Sequence, residues 1–197
     1  MNDDRFTIFF RGMNQVGKTR FIGRYIEGKS CFRSSNVFDY RLKTIYYNGH
    51  PLSLILFEMM GQDYVKNHPP AHNYRRSQGI ILLFDVTNRN SLHALQTEIE
   101  SNIIPALWEK NHPIIYVIGN KTDLENEREV TKEEAQKFSD DYGYKYFECS
   151  TLNYSDDVNH IMGMLTLEMI NQKLLDKEKK PILTEKEIKK NKKCLIF

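Results

Sequence analysis

The sequence predicts an α/β fold: a six-stranded, mostly parallel sheet with one antiparallel edge strand and helices on both faces. Three observations carry this. Strand-like apolar runs alternate with amphipathic helical stretches over residues 5–175, the order that builds a parallel sheet covered on both sides. Gly79-Ile80-Ile81-Leu82-Leu83-Phe84-Asp85 and Ile114-Ile115-Tyr116-Val117-Ile118-Gly119 are apolar almost throughout, as strands buried on both faces should be. Asn48-Gly49 stands between two further runs and is a hairpin signal, so one edge pair is antiparallel.

Taken in order, Arg5 to Arg11 is a short run of strand formers, and Lys18 to Glu27 has a helical period with Phe21, Ile22, Tyr25 and Ile26 on one face. Between them, Gly12-Met13-Asn14-Gln15-Val16-Gly17-Lys18-Thr19 fits G-x-x-x-x-G-K-[ST]. This is the phosphate cradle of a P-loop NTPase. The glycines let successive N–H groups face a pyrophosphate, Lys18 reaches the β- and γ-phosphates, and the Thr19 hydroxyl suits Mg²⁺. Strand, glycine loop and helix together place phosphate at a helix N-terminus.

Gly28 to Asn36 reads as a loop, Val37 to Tyr47 as a strand, and Leu52 to Phe57 as its hairpin partner running into Glu58-Met59-Met60-Gly61-Gln62-Asp63. Residues 64–77 hold Pro69-Pro70 and a helical turn around Tyr74, and the strand Gly79–Asp85 follows. Ser91 to Lys110 is a long amphipathic helix in which Pro105 marks a kink or break. The strand at 114–119 ends in Asn120-Lys121-Thr122-Asp123. Thr131 to Tyr142 is a helix opened by the capping box Thr131-x-x-Glu134. Lys145 to Cys149 is the last strand, and Ser155 to Leu175 the closing helix, with Ile161, Leu165 and Met169 on one side. Residues 1–175 form one domain, and 176–197 a lysine-rich tail.

The chain has 197 residues, net charge +2, 40% hydrophobic and 27% charged residues, which fits one globular domain plus a tail. No run is long enough to span a bilayer, and Met1-Asn2-Asp3-Asp4 does not open a signal peptide. Cys31, Cys149 and Cys194 are odd in number and far apart, so neither a disulfide framework nor a zinc site is expected. No nucleic-acid partner is expected either.

Ligands of such sheets sit at the carboxyl ends of the strands, and Lys18, Glu58, Asp85, Asn120 and Cys149 fall there. Asp85 is read as a structural strand-end acid. Asp123 discriminates the base: a carboxylate in the plane of guanine accepts from both N1–H and the 2-amino group, and adenine offers neither donor. This strand-end pattern, with the P-loop, resembles the Ras superfamily of small GTPases over nearly all of residues 5–175. It is most similar to the Rab branch. Asn73 to Thr87 is similar to the segment Rabs carry after their second switch, and Asp39-Tyr40-Arg41-Leu42-Lys43-Thr44-Ile45 to their first interaction strand.

The resemblance implies GTP and GDP as ligands, with Asn14, Gln15, Val16, Gly17, Lys18, Thr19 and Arg20 around the phosphates. Phe32 and Gly61 belong to the same nucleotide site. Asn120 ties the guanine loop to the P-loop, and the stem of Lys121 lies over the base. Cys149, Ser150 and Thr151 form the last guanine-binding loop, where the Ser150 N–H meets the guanine oxygen. Mg²⁺ is held by Thr19, by Ser35 or Ser34, and through Glu58. Gln62 orients the attacking water, with Lys18 stabilising phosphate charge. The γ-phosphate and Mg²⁺ hold two loops that hydrolysis releases. Effectors, exchange factors and GTPase-activating proteins bind through residues 30–47 and 58–77.

The pattern is also broken in places. Glu58 stands where aspartate is usual, so the contact to Mg²⁺ is expected to be displaced. Met59 and Met60 make the loop apolar; packing on a neighbouring helix and a hydrophobic partner surface are both open readings. The first switch is about two residues short, so Phe32 is either the aromatic flanking guanine or the one closing over the phosphates. Ser35 lacks a threonine methyl, and Asn14 lies where a side chain crowds the γ-phosphate. These departures predict slow hydrolysis. They also raise the alternative of a non-enzymatic, guanine-nucleotide-dependent interaction module. A P-loop small-molecule kinase would carry an arginine-bearing lid, and none is seen.

The tail carries Lys186-Glu187-Ile188-Lys189-Lys190-Asn191-Lys192-Lys193 and then Cys194-Leu195-Ile196-Phe197, which fits a C-a-a-X prenylation box with geranylgeranyl favoured by the terminal Phe. Lipid and lysines together can anchor a protein to an anionic leaflet. The expected place is the cytoplasmic face of endomembranes, with a cytosolic pool, in vesicular traffic. His68 and His72 have metal-like spacing, but Pro69-Pro70 break the helix that would align them, so an exposed loop is expected. Trp108 is read as helix packing, and Glu125-Asn126-Glu127-Arg128-Glu129 as a solvated loop.

Overall fold

Alternation along each strand sorts the apolar side chains of this chain into two layers, one on each face of a single sheet. The structure, a computed structural model, describes residues 5–28, 38–59, 71–107, 112–153 and 156–175. The strands are β1 (Arg5–Arg11), β2 (Phe38–Tyr47), β3 (His50–Met59), β4 (Gly79–Asp85), β5 (Ile114–Asn120) and β6 (Lys145–Glu148). Their order in the sheet is β2-β3-β1-β4-β5-β6; β2 pairs antiparallel with β3, and every other pair is parallel. At the turn joining β2 to β3, Asn48 has φ 49° and Gly49 φ 79°, the paired positive angles that a two-residue hairpin requires.

The helices are α1 (Lys18–Glu27), α2 (Ala71–Arg76), α3 (Arg89–Glu98, continued by Ile99–Ile103 and Ile104–Leu107), α4 (Lys132–Asp141) and α5 (Asp157–Leu175). Phe6, Ile8 and Phe10 of β1 face one side, against Phe21 and Tyr25 of α1 and Met162 and Leu165 of α5. Phe9 faces the other, with Tyr74 of α2 and Leu92, Leu95 and Ile99 of α3. All of β4 is buried, and β5 is split the same way, Tyr116 and Ile118 against Ile115 and Val117. This is the architecture expected from the alternating runs.

Four local expectations are corrected or refined. Pro105 marks a disturbance of α3, as expected, but the chain stays helical through Ile104–Leu107. The turn before it widens to a π-helical spacing over Ile99–Ile103, where the Ile104 N–H donates to Ile99 O. A single wide turn absorbs the missing donor and bulky ring of a proline. The capping box is half formed: Thr131 accepts from the Glu134 N–H at 3.2 Å, but the Glu134 carboxylate is taken by Arg89. Residues 125–129 are not a merely solvated loop. Arg128 pairs with Glu125 and, at 3.0 Å, with Glu148, and the Glu129 N–H donates to Val86 O at 2.9 Å. His72 falls on α2 rather than in a loop. His68, Trp108, Met60, Cys31 and the tail 176–197 lie outside the described residues. Among the described residues no helix is long and apolar enough to cross a membrane.

Candidate functional site

The carboxyl end of the sheet carries a cavity of about 420 Å³. Its floor is the loop between β1 and α1. Gly12 (φ 145°), Gln15 (φ 66°) and Gly17 (φ 103°) all have positive φ, so the backbone coils tightly and its N–H groups turn inward. Gly17 is required twice over. Besides its angle, a Cβ there would lie 2.2 Å from Asn120 Nδ2. Gln15 adopts its angle without being glycine, at a cost of about 1 kcal/mol that tertiary contacts must offset.

Lys18, buried at the start of α1, donates Nζ to the carbonyls of Gly12 at 3.0 Å and Met13 at 2.8 Å. Burial pushes its ammonium down to about 8, Glu58 opposes that fall, and Arg11 adds to it. Thr19 donates its hydroxyl to Glu58 Oε1 at 2.7 Å. Glu58, near the end of β3 and also buried, therefore brings a carboxylate oxygen directly to the hydroxyl. Two hard oxygens this close beside a phosphate cradle fit Mg²⁺. Among the described residues there is no cluster of three or more His, Cys, Asp or Glu side chains that would hold a metal by itself, so phosphate oxygens and water would complete such a site.

The opposite end of the cavity is built from the loops after β5 and β6. Asn120, fully buried, is the tie between them and the floor. Its Nδ2 donates to Val16 O at 2.8 Å, and its Oδ1 accepts from the Thr151 N–H at 3.2 Å. Asp123 accepts from the Ser150 hydroxyl, which in turn accepts from the N–H groups of Leu152 and Asn153, each at 3.2 Å. Lys121 (φ 69°) pairs through Nζ with Asp85 Oδ2 at 2.5 Å. Asp85 Oδ1 accepts from the N–H and hydroxyl of Thr87 at 2.9 and 2.7 Å. Asp85 thus holds Lys121 and the strand end in place, as expected of a structural acid.

Of the expected residues, Asn14, Gln15, Gly17, Lys18, Thr19, Arg20, Glu58, Asn120, Lys121, Asp123 and Thr151 line this one cavity. Val16 presents its carbonyl to Asn120 and buries its side chain in the core. Cys149 is buried behind the loop, where burial pushes its thiol up, and Ser150 acts through Asp123. Phe32, Ser34, Ser35, Gly61, Gln62 and Cys194 lie outside the described residues. Leu124 and Leu152 also line the cavity and were not anticipated. Leu152 is half exposed, at 50%, and its place beyond Ser150 is the only hint the sequence offers.

Residues 8–171 match the family model described as Ras family. The chain is 33% identical to human Ras-related protein Rab-3A over 159 residues, 80% of this chain and 69% of that protein. It is 31% identical to Ras-related protein Rab-3C of Bos taurus over 159 residues, 80% of this chain and 67% of that one. With human Ras-related protein Rab-3D it shares 32% over 150 residues, 75% of this chain and 67% of the relative. These likenesses support a GTP-hydrolysing switch and do not favour the non-hydrolysing module. The chain belongs to the Ras family, as a divergent Rab-like member of the Ras superfamily of small GTPases.

Proposed function

We propose that this chain is a slow Rab-like GTPase acting on the cytoplasmic face of endomembranes in vesicular traffic, converting GTP and water to GDP and phosphate. The observation that carries the nucleotide reading is Asn120. One buried amide joins the phosphate loop through Val16 O to the last loop through Thr151 N, so both ends of a nucleotide are held in one rigid frame. Asp123 accepts from guanine at one end, and Lys18 faces the phosphates at the other.

In this reading the loop N–H groups and Lys18 bind the β- and γ-phosphates and stabilise charge that develops in the transition state. Thr19, Glu58 and Ser35 would hold a Mg²⁺ that neutralises phosphate oxygens. Glu58 is one methylene longer than aspartate and already bonded to Thr19. That contact supports retention of the metal in a shifted place, and so slow turnover rather than none. Gln62 orients the water. Single-turnover phosphate release is expected on the order of 10⁻⁴ per second or slower. A Gln62→Leu chain is expected to be slower again by roughly tenfold or more. Equal release from the two proteins would remove Gln62 from the mechanism.

Residues 30–47 and 58–77 are read as the surface for effectors, exchange factors and GTPase-activating proteins. In support, β2 leaves Tyr40, Leu42 and Tyr46 on one face at 64, 62 and 54% exposure, a patch of the kind that marks interaction sites. Prenylation of Cys194 beside the lysine-rich tail would supply the membrane anchor. Mass analysis of the native protein tests this, and an unmodified Cys194 contradicts it.

A pH dependence follows from Lys18. Burial lowers its ammonium to about 8, and phosphates at the loop would favour the charged form. Binding therefore takes up a proton above that pH. GDP affinity is expected to be level below pH 8 and to fall by up to about tenfold per unit above it. Titration at pH 7, 8 and 9 checks this, with no change across the range as the contrary result. Chromatography of bound nucleotide, then phosphate release with and without Mg²⁺, tests the reading as a whole.

A further inference from the structure

A second set of polar side chains, two of them buried and one partly so, lies at the root of the phosphate loop. Arg11 closes β1 directly before Gly12 and is 5% exposed. Its guanidinium grips Glu98 of α3 with both prongs, Nε to Oε1 at 3.0 Å and Nη2 to Oε2 at 2.6 Å. Tyr74 of α2, fully buried, donates its hydroxyl to the same Glu98 Oε1. Its ring meets Phe9 of β1 edge-on, with centroids 5.2 Å apart.

A buried ion pair is a poor source of stability, because desolvation offsets most of the attraction, and apolar side chains of similar volume often do as well. Its specific contribution is geometric. Two parallel N–H···O bonds and a third donor on one carboxylate leave little freedom of orientation. What is oriented here is the junction of β1 with the phosphate loop. The next carbonyl, Gly12 O, accepts from Lys18 Nζ.

The other end of the network reaches α2, which follows the stretch containing Gly61 and Gln62. Besides Tyr74, α2 is held through Arg75 Nε to Ala106 O at 2.9 Å, and its end is tied by the Ser77 hydroxyl to Asn73 O at 2.7 Å. A movement of α2 away from α3 must draw the Tyr74 hydroxyl off Glu98. Arg11 then keeps a carboxylate partner that has lost one of its three restraints.

We propose that Tyr74, Glu98 and Arg11 are positioning residues forming a relay from α2 to the root of the phosphate loop. A partner that displaces α2 thereby loosens the hold on the nucleotide's phosphates. The inference rests on the reading of the cavity as a guanine-nucleotide site. It makes nucleotide release depend on one hydroxyl that touches no nucleotide.

The test uses the full chain loaded with fluorescent GDP and chased with excess GDP. Tyr74→Phe removes only the hydroxyl. Tyr116→Phe is the control, since Tyr116 is also fully buried and donates to a carboxylate, Glu168 Oε1 at 2.6 Å, toward the amino-terminal end of β5. Release is expected to quicken roughly tenfold in Tyr74→Phe, equivalent to about 1.4 kcal/mol, and to stay within about twofold of the parent in Tyr116→Phe. Glu98→Gln, which removes the charge, is expected to quicken release at least as much as Tyr74→Phe. Parental release rates in both Tyr74→Phe and Glu98→Gln would overturn the relay. Equal acceleration by Tyr116→Phe would do so too, because it would reduce the effect to general loss of stability. A parent chain that retains no GDP is a separate result and overturns the nucleotide reading itself.

Discussion

An Asp123→Asn chain is expected to lose GDP affinity by roughly 10³- to 10⁴-fold while gaining affinity for xanthosine diphosphate. Guanine presents two donors, N1–H and the 2-amino group, and a carboxylate accepts both. An amide offers one acceptor and one donor, so its nitrogen meets the 2-amino group donor to donor. Xanthine carries an oxygen in place of that amino group, which matches the amide. A site built around specific hydrogen bonds rejects a mismatched partner by factors of this size, because the mismatch leaves buried polar groups unpaired. The Ser150 hydroxyl, braced by the Leu152 and Asn153 N–H groups, holds the oxygen end of the side chain and is expected to keep the substituted amide in the same plane. Competition binding with the two diphosphates checks the exchange. Unchanged GDP affinity would remove Asp123 from base recognition.

The second large effect is expected at the other end of the cavity. Lys18→Ala should weaken GDP and GTP binding by about 2–5 kcal/mol, some thirtyfold to several thousandfold, as for other truncations of one member of a buried charge pair. The nucleotide-free variant should nonetheless unfold at the same temperature as the parent or higher. Lys18 is 5% exposed and its ammonium is pushed down to about 8 by burial, so the fold works against that charge when no phosphate is present. Two carbonyls satisfy it meanwhile. Loss of affinity without loss of stability separates a phosphate-binding lysine from a structural one. Calorimetric titration and a thermal melt of the same preparation supply both readings.

The parts of this molecule that are legible in its sequence are those with local signals. The glycines of the phosphate loop, the all-apolar β4 and β5 and Asn48-Gly49 each declare their geometry within a few residues. Together they give the sheet and place one end of the site. Asn120-Lys121-Thr122-Asp123 is legible because it directly follows a buried strand.

What escaped depends on partners distant in the chain. Arg11, Tyr74 and Glu98 come from a strand and two helices, and no spacing rule joins them. Glu134 looks like half of a capping box until Arg89 from another helix claims it. Arg128 reads as one charge among several, yet it pairs with Glu148 at the root of the last loop. Leu124 and Leu152 enter the cavity because the loops after β5 and β6 meet there, a proximity set by Asn120 and Ser150 rather than by any pattern around the leucines. Pro105 was visible as a disturbance of α3, but its resolution by a π-helical turn depends on packing that keeps the helix continuous.

In the proposed function, Asp123 reads guanine and Lys18 meets phosphate at two ends of one cavity. The most direct test of this is calorimetric titration of the nucleotide-free full chain with GDP and, separately, with ADP, in the same buffer with Mg²⁺. A preference for GDP of about 10³-fold or more is expected from the hydrogen bonds that adenine cannot offer to Asp123. Equal affinity for the two diphosphates, or no heat from either, would contradict it.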